Sequence, residues 1–348
     1  MSPAKAPRDD PRTTRLVVLD AGSGGLRVGS IGDLAVLLRP GDVLVLNDAA
    51  TLPASLPGRG PWGAPVELRL AGEGADGTFA AIVFGAGDWR QRTEDRRPPP
   101  PLRAGDLLEF AALQATVVAV DPASPRLVTV RFDCAGSALW AGLYASGRPV
   151  QYSYLAEPLA LWDAQTPFAG RPWAVESPSA GFALSWELLL SLRRRGVAFA
   201  RVTHAAGLSS TGDRALDARL PFAERSEVPA ATAAAVRAAR ERGGRVVAVG
   251  TTVVRALEAA ARAGGLERSR DWSGTTDLRL GSDTPRRVVD AILTGLHEEG
   301  TSHFTLLEAF APRALLRRAN ELAEQSGFLA HEFGDVALVL GAGAPVQR

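Results

Sequence analysis

Three short polar segments stand where apolar runs stop, and each carries side chains that could do chemistry. Asn47-Asp48 follows the run 43–46, Thr203-His204 closes the segment 197–203, and Gly250-Thr251-Thr252 follows 246–249. Two short polar side chains at a strand end suit turn capping through bonds to the backbone, and equally suit ligand contact at a strand's carboxyl end. A glycine and two hydroxyls delivered to a helix N-terminus suit an anionic or polar ligand, because the first-turn N–H groups lack intrahelical acceptors. At about 100° per residue, Thr251, Arg255 and Glu258 share one face of that helix, beside the apolar stripe Val254, Leu257 and Ala261. Such a face can line a pocket, or it can be a solvated Arg–Glu pair at i,i+3 worth a few tenths of a kcal/mol.

The elements that must position these groups alternate between buried strands and helices. The apolar β-branched run 246–249 reads as a fully buried strand. Thr251 or Thr252 can cap the following helix, and Gly264-Gly265 ends it. Strands are expected over 15–20, 26–29, 43–46, 197–203 and 336–340, with a further apolar run at 288–292 ahead of Thr294-Gly295-Leu296-His297. Helices are expected over 31–38, 186–195 and 230–242, and one long helix over 305–325. The pattern predicts an α/β core with a mainly parallel sheet, formed by 13–54 and 152–348. Ligands gather at the carboxyl ends of such strands, so three polar exits from one sheet point to one site. Between 55 and 151 the texture changes to short strands (66–70, 79–84, 107–110, 114–120 and 127–132) separated by turn signals. This predicts an inserted antiparallel β-barrel domain. Residues 1–12, rich in Pro, Ala and charge, read as a flexible tail with no secretory signal. A tight small-residue loop, Ser177-Pro178-Ser179-Ala180-Gly181, leads into the helix at 186 and could let a ligand approach the backbone.

Composition narrows the chemistry. The 348 residues are 46 % hydrophobic and 22 % charged, as expected of a globular protein, and no apolar run reaches the ~20 residues of a membrane span. A single cysteine, Cys134, excludes an internal disulfide and a cysteine-based metal site. Lys5, in the N-terminal segment, is the only lysine, which removes Schiff-base chemistry and a P-loop lysine together. A net charge of +1 gives no broad basic field, although arginines remain for local phosphate contacts. A cytoplasmic monomer that needs neither membrane nor metal is the expectation.

Taken in order, several motifs resemble the S-adenosylmethionine:tRNA ribosyltransferase-isomerase family of queuosine biosynthesis. They are Arg39-Pro40-Gly41-Asp42 through Asn47-Asp48, the Pro178-Ser179-Ala180-Gly181 loop, Val202-Thr203-His204, and Ala248-Val249-Gly250-Thr251-Thr252 through Glu258. Val288-Val289-Asp290 through Thr294, Ala309-Phe310-Ala311 and Phe333-Gly334-Asp335 continue the match. The resemblance implies an α/β core with an inserted β-barrel, S-adenosyl-L-methionine as co-substrate, no metal, and tRNA as partner. It implies that the aminomethyl group of a 7-aminomethyl-7-deazaguanine in the anticodon attacks the ribose of S-adenosylmethionine. Adenine and methionine leave, and an epoxycyclopentanediol remains on the base. Such a reaction needs a base next to the sulfonium and an acid for adenine, each typically worth about 10²–10⁴ in rate. A carboxylate near the developing ribose charge would help directly. The matching positions with suitable chemistry are Asp48, His204, Glu258, Asp290 and His297, with the acid and base roles undivided among them. Asn47, Ser179, Ala180, Gly181, Thr203, Gly250, Thr251, Thr252 and Arg255 are the matching binding positions; the two threonines suit the methionine carboxylate or ribose hydroxyls.

The chain departs from the family at loops. Where the family continues past Gly181 with a histidine and a phenylalanine, this chain has Phe182-Ala183-Leu184-Ser185. After His204 a longer glycine-rich segment with Phe-Arg-Pro is replaced by 205–211, and a Glu-His stretch survives only as Ala223-Glu224-Arg225-Ser226-Glu227. The stretch 159–172, with Trp162 and Gln165, also differs. Loops place substrate contacts, so a retained scaffold with altered loops implies a divergent paralogue. Its acceptor could instead be a small molecule, or the chain could be a non-catalytic binder of S-adenosylmethionine or nucleoside.

Overall fold

Alternation along each central strand divides its side chains between two cores. Val43 and Val45 point into one, Leu44 and Leu46 into the other, and Val246/Ala248 and Val247/Val249 repeat the division. A computed structural model of the chain describes residues 1–74, 76–267 and 270–343. Its main sheet has nine strands in the order Trp272–Thr276, Glu224–Val228, Ala198–His204, Val43–Asn47, Val246–Val249, Ala291–Gly295, Val336–Leu340, Arg15–Asp20 and Gly25–Ser30. One face is covered by the helices Ala230–Glu241, Thr251–Arg262, Ser302–Leu307 and Arg313–Gln325. The short helix Leu34–Leu37 and the helix Trp186–Arg194 cover the other. Each fully buried Val or Leu contributes about 1.5–3 kcal/mol, which is why these runs need no polar face.

Parallel pairing joins Ala198–His204, Val43–Asn47, Val246–Val249 and Ala291–Gly295 at the centre of the sheet, and antiparallel strands flank them. The four parallel strands therefore end at one edge, at His204, Asn47, Val249 and Gly295. Glu224–Val228 runs antiparallel to Ala198–His204, so its first residue, Glu224, lies at that same edge.

The inserted segment closes a six-stranded antiparallel barrel from Ser55–Arg59, Pro65–Glu73, Phe79–Phe84, Leu107–Phe110, Gln114–Val120 and Leu127–Phe132 around its own apolar core. The strand Ser55–Arg59 escapes sequence analysis because Pro57-Gly58 reads as a turn. Glycine is required there, since a Cβ at Gly58 would meet the Glu109 carbonyl at 2.4 Å and the Phe110 ring at 2.5 Å. The helix Gly136–Ser146, also unforeseen, buries Leu139 and Leu143 against the barrel core.

Two expectations are corrected. Residues 1–12 are not a free tail: Ser2–Pro3 pairs in parallel with Leu329–Ala330, Ala4 is buried, and Arg8 reaches the buried carboxylate of Asp335 at 2.6 Å. The expected helix over 305–325 is two, Ser302–Leu307 and Arg313–Gln325, because Pro312 has no N–H to continue the ladder and instead precedes the second helix. No helix among the described residues is long and apolar enough to cross a membrane.

Candidate functional site

The convergent strand ends are tied together by one side chain. Asn47 Nδ2 donates to the His204 carbonyl at 3.0 Å and to Thr252 Oγ1 at 3.2 Å, and its Oδ1 accepts from the N–H groups of His204 at 3.0 Å and Ala49 at 3.1 Å. All four hydrogen-bonding positions of the carboxamide are thereby used, so Asn47 holds the three exits in register rather than reaching outward. Next to it, Asp48 accepts from Thr203 Oγ1 at 2.5 Å, with Arg201 at 3.5 Å.

The helix that begins beside Asn47 is not capped by a threonine. Its N-cap is Gly250, at φ 89°, and no side chain caps it. The Thr252 hydroxyl is turned to Asn47 instead, and Thr251 and Thr252 are both half-buried at the helix start. A Cβ at Gly250 would touch Ala180 at 3.5 Å, so the Ser179–Ala183 turn packs directly on this glycine. Gly181 is held tight behind it, within 3 Å of the Phe168 ring and Thr166 were a Cβ added.

His204 is fully buried at the end of its strand. Its Nε2 lies 2.7 Å from Glu224 Oε2, and its Nδ1 has no partner among the described residues. Glu224 also receives the Gly207 N–H at 2.7 Å and the Arg255 guanidinium. Burial pushes the Glu224 carboxyl up, but His204 and Arg255 outweigh it and hold the group below its ordinary value. Arg255 in turn donates to the carbonyls of Leu278 at 3.1 Å and Thr276 at 3.2 Å. His297 lies at the same edge, its Nε2 2.8 Å from Thr294 Oγ1 and its ring stacked on His303 at 4.8 Å. Burial, with help from His303, holds the His297 imidazole well below its ordinary pKa.

These groups share the edge but form separate contacts: Asp48 pairs with Thr203, His204 and Arg255 meet on Glu224, and His297 bonds Thr294, while Glu258 and Asp290 lie away from that edge. Glu258 is two turns along the helix from Thr251, buried, and accepts from the N–H groups of Arg287, Val288 and Val289 and from Arg262 at 2.5 Å. The i,i+3 pairing with Arg255 does not form: Glu258 pairs at i,i+4, and Arg255 turns to Glu224. Asp290 lies at the opposite edge, where Oδ2 accepts from Val246 N at 2.8 Å, and burial raises its carboxyl above the ordinary value. Glu224 and His303 are the site-edge residues that sequence analysis did not select. The alternation of Glu224, Ser226 and Val228, all buried, is the signal that faces Glu224 inward. Among the described residues no group of three or more His, Cys, Asp or Glu side chains is arranged to hold a metal ion.

A family model described as queuosine biosynthesis protein matches residues 2–339. The S-adenosylmethionine:tRNA ribosyltransferase-isomerase of Anaeromyxobacter dehalogenans (strain 2CP-C) is 36 % identical over 344 residues, covering 97 % of this chain and 95 % of that protein. Its counterpart from Thermus thermophilus is 35 % identical over 343 residues, covering 95 % and 94 %. The crystal structure of S-adenosylmethionine tRNA ribosyltransferase from Thermotoga maritima matches with a TM-score of 0.53 and 25 % identity, over 97 % of this chain and 96 % of that one.

Proposed function

The chain belongs to the queuosine biosynthesis protein family, and from that premise we propose that it transfers and isomerises the ribosyl group of S-adenosylmethionine onto a 7-aminomethyl-7-deazaguanine in tRNA. The convergence of three polar strand exits on one edge, stapled by Asn47, carries this reading. The N-terminus of the helix Thr251–Arg262, with the Thr251 hydroxyl, suits the donor's methionine carboxylate, because free N–H groups and the helix dipole favour an anion there. Asp48 is the carboxylate of this edge suited to charge developing on the ribose, and His204 is its proton-transfer group. Glu258 and Asp290 belong to the frame in this reading, since their carboxylates are spent on backbone N–H groups away from the edge.

A second reading keeps the donor and replaces tRNA by a small-molecule acceptor. It is favoured by the loop after Gly181, where Phe182 stacks on Phe333 at 5.1 Å and contributes apolar packing instead of a polar contact. Purified protein with S-adenosylmethionine, with and without tRNA carrying the deazaguanine precursor, decides between them. The expected outcome is adenine and methionine released only with that tRNA, with binding that weakens steeply as salt rises. Donor binding without tRNA-dependent release would sink the tRNA reading in favour of the second.

A further inference from the structure

We propose that Glu224 is a positioning residue that makes Nδ1 the one nitrogen of His204 able to exchange a proton with a substrate. The assignment of that substrate rests on the function proposed above; the proton assignment rests on the His204–Glu224 contact and on the Arg255 guanidinium and Gly207 N–H that favour the ionised carboxylate. An ionised carboxylate only accepts hydrogen bonds, so the nitrogen facing Glu224 Oε2 at 2.7 Å must carry a proton in both charge states of the ring. Nε2 is thereby committed, and any proton gained or lost moves at Nδ1.

Both partners are fixed. The His204 backbone is pinned through its N–H and its carbonyl by Asn47, and the Glu224 carboxylate is held by the Gly207 N–H and by Arg255. Arg255 is itself held on the Thr276 and Leu278 carbonyls, so the carboxylate cannot swing away without leaving a buried guanidinium unpaired. Among the described residues Nδ1 is buried without a partner, and so is the hydroxyl of Ser226, directly across the ladder from His204. Two unsatisfied polar atoms on facing positions mark where a polar group of the substrate would complete the bonding. The charged and titratable groups around this pair are Arg255 on the helix and His303 beyond it, whose imidazole burial and Arg255 keep below its ordinary pKa against the pull of Glu224. On the same strand Arg225 and Glu227 are directed elsewhere, to Trp173 and Arg171.

Long-range ¹H–¹⁵N spectra of the full chain with labelled histidine, taken without substrate, read the tautomer directly. The His204 signals are identified by their loss in His204→Asn. The wild-type ring is expected to carry its proton on Nε2, with Nδ1 unprotonated. Glu224→Gln should lose that preference and reduce turnover roughly 10²-fold or more, and Glu224→Asp should keep the tautomer and recover part of the rate. A wild-type ring protonated on Nδ1 alone would overturn the proposal, whatever the variants do. So would a Glu224→Gln protein with wild-type tautomer and wild-type turnover. Failure of wild-type protein to release adenine would count against the proposed function and leave the tautomer result standing.

Discussion

Two buried polar side chains, Asn47 and Glu258, illustrate how similar chemistry serves different ends. Asn47 joins three strand exits, whereas Glu258 closes the loop 287–289 onto the far end of a helix that begins in the site. The Glu258 carboxylate takes three backbone N–H groups and one guanidinium while fully buried, so its loss strands several donors at once. Glu258→Gln is expected to cost on the order of 2–4 kcal/mol in urea unfolding, because an amide cannot accept from all of them. Turnover per folded molecule should stay unchanged. A variant as stable as wild type but inactive would return Glu258 to the reacting groups.

At the level of elements, the helix Thr251–Arg262 transmits the strand register to the site, and its start depends on backbone conformation. Gly250 sits at φ 89°, where an L side chain is strained even though the space around its Cβ is adequate. Gly250→Ala is therefore expected to cost about 1–3 kcal/mol through backbone strain, measurable as a lowered denaturation midpoint. The buried strands 43–46 and 246–249, the hairpin 15–29 and the helices at 186 and 230 were legible because apolar runs and capping residues are local signals. So was the meeting of Asn47, His204 and Gly250, since parallel strands must end together. The partners of the polar groups were not legible. Glu224 reaches His204 across an antiparallel ladder, and Glu258 finds its N–H donors some 30 positions away, neither of which any period encodes. Local signals also failed where proline intervened: Pro57 hid a barrel strand and Pro312 divided a helix that the apolar period carried straight through.

Across the whole molecule, the barrel meets the core beside the site-edge loop, through contacts that contain an unusual acid. Ser124 donates to Asp213 at 2.5 Å and Arg219 pairs with Asp121 at 3.3 Å, while Arg69 from the barrel lies over the Tyr152 ring at 5.6 Å. The Tyr152 hydroxyl donates to Glu176, which also accepts the Ser209 N–H at 2.8 Å, five residues beyond His204. Burial is the main cause that raises the Glu176 carboxyl from 4.5 to about 7, against the lowering effect of these two donors. The native state therefore holds this proton where the unfolded chain has already lost it. Stability contributed by the protonated acid is complete below pH about 4.5 and declines as pH rises toward about 7, where the native carboxylate ionises in place. Glu176→Gln removes that decline. The stability of the variant relative to wild type should improve by about 2 kcal/mol between pH 5 and pH 8, less than the full displacement would give because Glu176 keeps some solvent contact. Parallel urea titrations at the two pH values measure it. A difference between the proteins that does not change with pH would mean that Glu176 ionises normally, leaving the junction between barrel and core without a proton of its own.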